Sequence, residues 1–214
     1  MTRKQAALAA AAAVILIVSA RGTNAQLRRV LFFGDSITAN PMVTALDQYP
    51  SIAARLVGRV LPQNLGVPGG RMTDVAGLWP GWAHYPDVVE ALSGIFGVHA
   101  IVVLIGTNDW GANQSAASVE EAYRTFLDNL PPRVPVICVT PPWQRNDGTR
   151  NTADETLDDV RAAITRACTE RGLVVRGDYA IPHDGDFYKD AIHPNALGNL
   201  YLARAVARAL KKVL

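Results

Sequence analysis

Cysteine is scarce in this chain, with only Cys138 and Cys168 among its 214 residues. Neither cysteine has a metal-ligand pattern around it, which excludes a zinc site built on cysteine. Cys138 lies in an apolar segment and Cys168 lies on the apolar side of the helix predicted to follow, so the two residues can meet. A chain with a good core does not need such a bond. We therefore interpret the pair as two buried free thiols, with a disulfide as the alternative.

The chain also lacks an N-terminal apolar run long enough to span a bilayer. The run from Ala6 to Val18 is short of the roughly 20 residues required, which argues against an uncleaved membrane anchor. Basic residues precede the run and small residues follow it, as in a secretory signal peptide. We predict a signal peptide over residues 1–25, cleaved after Ala25 or, alternatively, after Ala20. The mature protein would be secreted or periplasmic, without stable membrane insertion.

An excess of one charge sign is missing as well. Removal of residues 1–25 would leave 18 basic and 19 acidic residues, a net charge of −1. This balance gives no support to nucleic-acid binding. Internal repeats, low-complexity linkers and heptads are also absent. With 49% hydrophobic residues, residues 26–214 are long enough for one well-buried domain and too short for two, so we predict a single domain.

Apolar runs bounded by turn residues alternate with segments of helical periodicity. The runs lack polar alternation, which is typical of strands buried on both faces of a parallel sheet. They occur at Val30–Phe33, Ala100–Ile105, Val134–Val139 and Leu173–Val175, with a weaker run near Val60–Leu65. The alternation predicts an α/β fold, a doubly wound sandwich with a mainly parallel sheet. In such a sheet the ligand site forms beyond the carboxyl ends of the strands.

Three segments in the second half of the chain have the apolar spacing of helices. Capping-box patterns predict that the first begins at Ser118 and the second at Thr152. The third is predicted from about Asn195 to Lys212, at the end of the chain. The loop before this last helix must return to the carboxyl edge of the sheet if its polar residues are to join the other loops there.

Four short polar segments supply the groups that acyl transfer needs. Attack of a serine on an ester carbonyl requires a base, a group that orients the base, and hydrogen-bond donors where negative charge develops. A serine hydroxyl, glycine N–H groups, a carboxamide and an imidazole with a nearby carboxylate are all present. The segments are Gly34-Asp35-Ser36, Asn64 to Gly70, Gly106-Thr107-Asn108-Asp109 and Asp190-Ala191-Ile192-His193. They predict a site for serine-dependent acyl transfer.

Each segment taken singly has a simpler interpretation. Ser36 would be an ordinary helix cap, Asn108 would form a turn, and the glycines around Gly69 would do the same. His183, which lies in an acidic loop, competes with His193 as the base. The absence of Gly-x-Ser-x-Gly excludes the nucleophile elbow of the α/β-hydrolases but not a serine enzyme of another kind.

In order and content the four segments resemble the SGNH hydrolase family, also called the GDSL-type lipases and esterases. The resemblance spans about residues 28 to 213. Its departures are mild: Ile37 stands where the family's name has leucine, and the pair Gly69-Gly70 leaves the oxyanion glycine open by one position. The resemblance implies the flavodoxin-like fold of that family, a three-layer α/β/α sandwich with a mainly parallel five-stranded sheet.

The same resemblance implies ester hydrolysis through an acyl-enzyme, without a metal or an organic cofactor. The implied catalytic residues are Ser36 as nucleophile, His193 as general base and Asp190 as the group that orients His193. The implied oxyanion hole consists of the N–H groups of Ser36 and Gly69 and the side chain of Asn108. The neighbouring acids Asp35 and Asp109 we assign to support of their loops.

All four tryptophans are predicted in loops at the catalytic edge, namely Trp79, Trp82, Trp110 and Trp143. Exposed rings there can stack on sugars or hold an acyl chain, the alternative being that they pack the loops onto the domain. Together with export, they favour a small ester such as an acetylated carbohydrate. The alternatives are a lysophospholipase or thioesterase for longer acyl chains, an acyltransferase with the same triad, and a non-catalytic carbohydrate-binding domain.

Overall fold

A five-stranded parallel sheet organises the computed structural model, which describes residues 27–75 and 97–214. The strands are β1 (Arg28–Gly34), β2 (Val60–Gly66), β3 (Val98–Leu104), β4 (Val136–Val139) and β5 (Leu173–Val175). Their order across the sheet is β2-β1-β3-β4-β5, and every neighbouring pair is parallel. The predicted α/β fold and its five strands are confirmed. The predicted signal peptide, Trp79 and Trp82 lie outside the described residues.

Helices cover both faces of the sheet and connect its strands. They are α1 (Ser36–Ala39), α2 (Tyr49–Val57), α3 (Met72–Val75), α4 (Thr107–Gly111), α5 (Ala116–Asp128), α6 (Leu157–Thr169) and α7 (Ala196–Val213), with a 3₁₀ turn at Gly185–Phe187. No helix of the described residues has both the length and the apolar character needed to cross a membrane.

The side chains of each strand alternate between two apolar layers. Leu31, Phe33 and Cys138 pack with α5 and α6 on one face. Phe32 and Ile137 pack with α2 and α7 on the other. Because both faces are covered, each central strand needs an unbroken apolar run, which explains the pattern seen in the sequence. The result is a three-layer sandwich, as the resemblance implied.

Two helix starts differ from those predicted. Helix α5 is capped by Ser115, whose hydroxyl accepts a hydrogen bond from the Ser118 N–H, so this helix begins before the predicted Ser118. Helix α6 has its capping box at Thr156 and Asp159 and not at Thr152. In each case a second Ser or Thr within four residues can cap the helix equally well. Local sequence therefore does not decide between the two candidate caps.

The first two loops at the carboxyl edge are held tightly against β1. A Cβ atom on Gly34 would lie only 2.1 Å from the Leu104 carbonyl oxygen of β3 and from the Thr38 hydroxyl of α1. Any side chain at this position would therefore force β1 and α1 apart. The Val67 N–H donates to the Gly34 carbonyl at 2.9 Å, which fixes the turn after β2 beside the same point.

A disulfide joins Cys138 of β4 to Cys168 of α6, with Cα atoms 6.3 Å apart. The interpretation of the pair as free thiols is therefore wrong. Both side chains are fully buried in the layer between β4 and α6, and this packing brings the two sulfur atoms into bonding contact. The sequence indicated that the residues could meet, but their separation depends on how α6 lies on the sheet.

Removal of this disulfide is expected to lower the free energy of unfolding by about 3 to 4 kcal/mol, because the bond closes a loop of roughly 30 residues in the unfolded chain. Chemical denaturation of the wild type, of the Cys138→Ala/Cys168→Ala double variant and of the reduced wild type measures the effect. Reduction keeps both sulfur atoms and so avoids the cavities that alanine leaves. The losses in the reduced protein and in the double variant together bracket the contribution of the disulfide to the free energy of unfolding. A loss below about 1 kcal/mol on reduction would contradict the expectation.

Candidate active site

Ser36, His193 and Asp190 meet at the carboxyl edge of the sheet. The Ser36 Oγ lies 2.8 Å from His193 Nε2, although the two residues are 157 positions apart. On the other side of the ring, His193 Nδ1 lies 2.7 Å from Asp190 Oδ2. The structure thus brings together all three residues that the sequence named for nucleophile, base and orienting carboxylate, in hydrogen-bond contact throughout.

The Asp190 carboxylate is held by its own loop. Its Oδ1 accepts the backbone N–H groups of Ile192 and His193, both at 2.7 Å. Burial by itself would raise the pKa of Asp190, but the hydrogen bonds from the His193 N–H, the His193 ring and the Ile192 N–H outweigh it and hold the pKa below its ordinary value. Asp190 is therefore an anion at neutral pH, which suits a group that orients an imidazole and stabilises its protonated form.

Asn108 and the glycine turn face each other across the site. The Asn108 Nδ2 donates to the Gly70 carbonyl at 3.0 Å, which uses one of its two N–H bonds. The Gly70 N–H is taken up inside the turn, where it donates to the Val67 carbonyl at 2.9 Å. No hydrogen bond within the described residues occupies the Gly69 N–H. Of the two glycines that the sequence left open, Gly69 is thus the one with a donor to spare.

Two buried aspartates support these loops, each next to a residue of the site. Asp109 accepts the N–H groups of Met72 and Thr73 and the Thr73 hydroxyl, all at 2.9 Å, and so ties α4 to the start of α3. Asp35 caps α1 by accepting the Ile37 N–H at 2.8 Å, while its second oxygen has no partner among the described groups. Burial, with a contribution from the charge of Asp109, raises the pKa of Asp35 to about 7.

Replacing Asp35 with asparagine is expected to flatten the pH dependence of stability. The folded-state pKa of about 7 lies above the ordinary value near 4. Between these values the folded protein holds a proton that the unfolded chain has released, so stability falls as the pH rises, by roughly 1.4 kcal/mol per pH unit. Asparagine cannot titrate and keeps the oxygen that accepts the Ile37 N–H.

Urea denaturation between pH 4 and pH 8 measures this slope in the wild type and in the variant. Asp128→Asn, at an exposed position near the end of α5, is the matched control and should keep the wild-type slope. Equal slopes in the wild type and in Asp35→Asn would show that Asp35 does not titrate in this range.

Two asparagines that the sequence did not indicate fix the loop of His193. Asn40 Nδ2 donates to the Pro194 carbonyl at 2.8 Å, and Asn199 Nδ2 donates to the same oxygen at 3.0 Å. Asn40 follows α1, so this shared acceptor links the serine segment directly to the residue after His193. Both asparagines are fully buried. Nothing in the sequence around Asn40 distinguishes it from an ordinary loop residue. For Asn199 the one available signal was a polar residue on the apolar face of the last helix, because a buried amide needs hydrogen-bond partners.

His183, the competing histidine, makes its contacts with residues other than Ser36. His183 Nε2 is bonded to the Asp178 carbonyl at 2.6 Å, and the ring stacks on Trp143 at a centroid distance of 5.5 Å. Trp143 also meets the Tyr188 ring edge-on. The structure therefore brings His193, and not His183, to Ser36.

The prediction of Trp110 as an exposed substrate platform is wrong. Its side chain is 8% exposed and belongs to the apolar layer under α5 and α6, and its Nε1 donates to the Glu155 carbonyl at 3.0 Å. The residue sits on α4, whose inner face turns toward the core once Asp109 is anchored. Of the two tryptophans that the structure describes, Trp143 is the one that lies, half-buried, along a groove of the surface.

Among residues 27–75 and 97–214, no group of three or more His, Cys, Asp or Glu side chains is placed to hold a metal ion.

Comparison with known protein families gives one match, which covers most of the chain. The model of the GDSL-like lipase/acylhydrolase family matches residues 32–200, a range that contains all four polar segments. No curated protein sequence matches the chain significantly.

Solved structures share the fold at low sequence identity. An aryl esterase of M. smegmatis superposes with a TM-score of 0.71 at 15% identity, covering 87% of this chain and 100% of its own. Est24, a carbohydrate acetylesterase of Sinorhizobium meliloti, gives 0.68 at 18% identity, with 87% and 100% covered. A variant of Axe2, an acetyl-xylooligosaccharide esterase of Geobacillus, gives 0.67 at 19% identity, with 86% and 94% covered.

Proposed function

The chain belongs to the GDSL-like lipase/acylhydrolase family and is an ester-bond hydrolase, and we propose that it is an exported serine esterase for short acyl esters of carbohydrates. The observation that carries the proposal is the continuous hydrogen-bonded line from Ser36 Oγ through the His193 ring to Asp190, with distances of 2.8 and 2.7 Å. Such a line is the arrangement needed to activate a hydroxyl as a nucleophile.

In the proposed reaction, His193 Nε2 takes the Ser36 proton as the serine oxygen attacks the ester carbonyl carbon. The ring then returns the proton to the leaving alcohol as the carbon–oxygen bond breaks, which leaves an acyl group on Ser36. Water, activated by the same ring, attacks the acyl-enzyme and releases the acid. The Asp190 anion stabilises the positive charge that the ring carries in both steps.

The negative charge of the carbonyl oxygen needs donors that are already in place. The second N–H of the Asn108 amide and the Gly69 N–H are the available donors, with the Ser36 N–H at the start of α1 as the third. The hydrogen bond from the Asn108 amide to the Gly70 carbonyl holds the amide against the glycine turn. The neighbouring Asp109 accepts the Met72 N–H and so holds α4, which carries Asn108, against α3. The oxyanion site is therefore rigid before substrate arrives.

Export is supported by two independent features. The predicted signal peptide would direct the chain out of the cytoplasm, and the Cys138–Cys168 disulfide suits an oxidising compartment. The preference for carbohydrate esters draws on the names of two structural relatives, which are acetylesterases of carbohydrate and of xylo-oligosaccharide.

A longer acyl ester is the second candidate, because a groove with apolar side chains along part of its wall lies beside the loop that carries Asp190 and His193. This Met42 groove is open, holds about 770 Å³, and is lined by Pro41, Met42, Val43 and Leu197 together with polar residues such as Lys189 and Asn195. Met42 and Leu197 are 47% and 48% exposed, so both offer apolar surface along the groove. An acyl tail laid along them would lose water contact.

Hydrolysis of p-nitrophenyl esters from acetate to dodecanoate, by the mature protein and by Ser36→Ala, tests the proposal. Serine-dependent turnover that peaks at acetate supports a short-acyl esterase, whereas a peak at long chains would transfer the assignment to lipid-like esters and to the Met42 groove. Product analysis with an added glycan acceptor separates hydrolysis from acyl transfer. Absence of any serine-dependent turnover would reject the proposal.

A further inference from the structure

A second groove, of about 640 Å³, lies at the carboxyl edge of the sheet, on the side of β4 and β5. We call it the Trp143 groove, and its lining includes Trp143, Asp147, Asp158, Arg176, Asp178 and Tyr179. Its walls come from the segments that follow β4 and β5 and from one side of α6, between Asp158 and Arg166. The segments after β4 and β5 and the start of α6 lie at the same edge as Ser36, and the volume falls in the range of small-molecule sites.

The Trp143 groove borders the loop that carries Asp190 and His193. The Trp143 ring meets the Tyr188 ring at a centroid distance of 5.6 Å. Tyr188 in turn pairs with Pro194, the residue after His193. The Arg145 N–H, two residues beyond Trp143, donates to the Ala191 carbonyl at 3.0 Å. A ligand in the groove would therefore lie beside the catalytic loop without occupying the position of the ester.

The charges of the groove are balanced and already paired. Three carboxylates and three guanidinium groups line it. Arg161 is bonded to Asp147 and Asp158, and Arg176 to Asp178, at 2.6 to 2.9 Å. The third guanidinium, that of Arg166, is bonded to Glu120. Among the described lining residues every cation thus has an acid partner, so an anionic ligand would have to displace one.

A neutral, hydroxyl-rich ligand fits such a surface better than an ion does. Each paired carboxylate keeps acceptor sites beyond those that its arginine uses, and ligand hydroxyls can donate to them. The Arg161 side chain is 3% exposed and is also bonded to the Pro141 and Pro142 carbonyls, so the polar groups of this wall are fixed in position. Fixed groups lose little entropy on binding.

Aromatic rings complete the lining. Tyr179 is 75% exposed, and the guanidinium of Arg176 holds its ring from one side at 4.8 Å. Trp143 is stiffened by its stacking on His183. A sugar ring has an apolar C–H face, which packs on an aromatic plane, and an edge of hydroxyls, which bonds to carboxylates. Both kinds of partner occur here within one groove.

We propose that the Trp143 groove binds the neutral sugar rings of an acylated oligosaccharide and thereby presents its ester group to Ser36. The ester part of this inference rests on the proposed function, whereas sugar binding in the groove does not. The ligand class is a neutral oligosaccharide of two or more rings, since one sugar ring would not fill a groove of about 640 Å³.

Calorimetric titration with unesterified xylotetraose and cellotetraose tests the binding directly, because both sugars are neutral and neither carries a scissile ester. We expect the wild type to bind at least one of them and Tyr179→Ala to bind it about fivefold or more weakly, the effect of one aromatic contact. Tyr179→Phe keeps the ring and should keep most of the affinity. Tyr201→Ala removes another tyrosine beside an arginine, outside the groove, and is the matched control.

Kinetics supply the second measurement. The ratio of kcat/KM for acetylated xylotetraose to kcat/KM for p-nitrophenyl acetate should fall about fivefold or more in Tyr179→Ala and stay unchanged in Tyr201→Ala. Absence of wild-type binding to either tetrasaccharide, or equal losses in both variants, would overturn the inference. Sugar binding without ester hydrolysis would support the groove and overturn the proposed function, and ester hydrolysis without sugar binding would do the reverse.

Discussion

Replacing His193 with alanine is expected to lower kcat/KM on an ester substrate by about 10⁴-fold or more. The His193 ring is the only imidazole of the described residues that contacts Ser36, at 2.8 Å, and without it the hydroxyl has no base at neutral pH. Initial rates on p-nitrophenyl acetate measure the loss, and circular dichroism checks that the variant is folded. Ser36→Ala should lose a similar amount, and the double variant should lose no more, because the residues act as a unit.

His183→Ala is the matched control for this experiment. The residue is a histidine of the same edge, but its ring is engaged by the Asp178 carbonyl and by Trp143. We expect less than a threefold change in kcat/KM on p-nitrophenyl acetate. Equal losses in the two histidine variants would reject the assignment of His193 as the base.

The second large effect is expected for Asn108→Ala, which should lower kcat by about 10²-fold or more with little change in KM. An oxyanion donor binds charge that develops only in the transition state, so its removal affects turnover and not ground-state binding. Steady-state kinetics on p-nitrophenyl acetate separate the two constants. A loss confined to KM, or a loss below threefold, would remove Asn108 from the oxyanion site.

Asn129→Ala controls for the loss of an amide as such. Asn129 is exposed and caps the C-terminus of α5, and its side-chain amide donates to the Thr125 carbonyl of the same helix. Its replacement should leave both constants near wild type. Since Asn108 also donates to the Gly70 carbonyl, a thermal denaturation curve for Asn108→Ala shows how much of the effect comes from a loosened glycine turn.

The fold was predictable because its strands and helices are encoded by different local periods. Strands buried on both faces require continuous apolar runs, and β1, β3 and β4 have them. Even the weak run at Val60–Leu65 became an edge strand, where lower burial permits polar residues such as Gln63 and Asn64. Helix starts were less predictable, since several Ser, Thr and Asp residues near α5 and α6 offer equivalent caps.

The meeting of the four polar segments at one edge of the sheet was predictable, because each segment follows a predicted strand or precedes the last helix. Trp110 shows where such reasoning ends. Its position close to Asn108 suggested exposure. Successive side chains on an α-helix differ in direction by about 100°, however, and the ring of Trp110 points inward. A loop position in the sequence does not fix the direction of a side chain.

The sequence by itself thus determined the order of strands and helices, the one-edge placement of four polar segments, and the chemistry that those segments offer. Only the tertiary structure decided the 2.8 Å contact between Ser36 and His193, the shared hold of Asn40 and Asn199 on the Pro194 carbonyl, and the bond between Cys138 and Cys168. The physical reason is separation along the chain. Local periodicity reports on neighbours within a turn of helix or a pair of strand residues. The contacts of Ser36 with His193, of Asn40 with Pro194 and of Cys138 with Cys168 join residues 30 to 157 positions apart and exist only once the layers have packed.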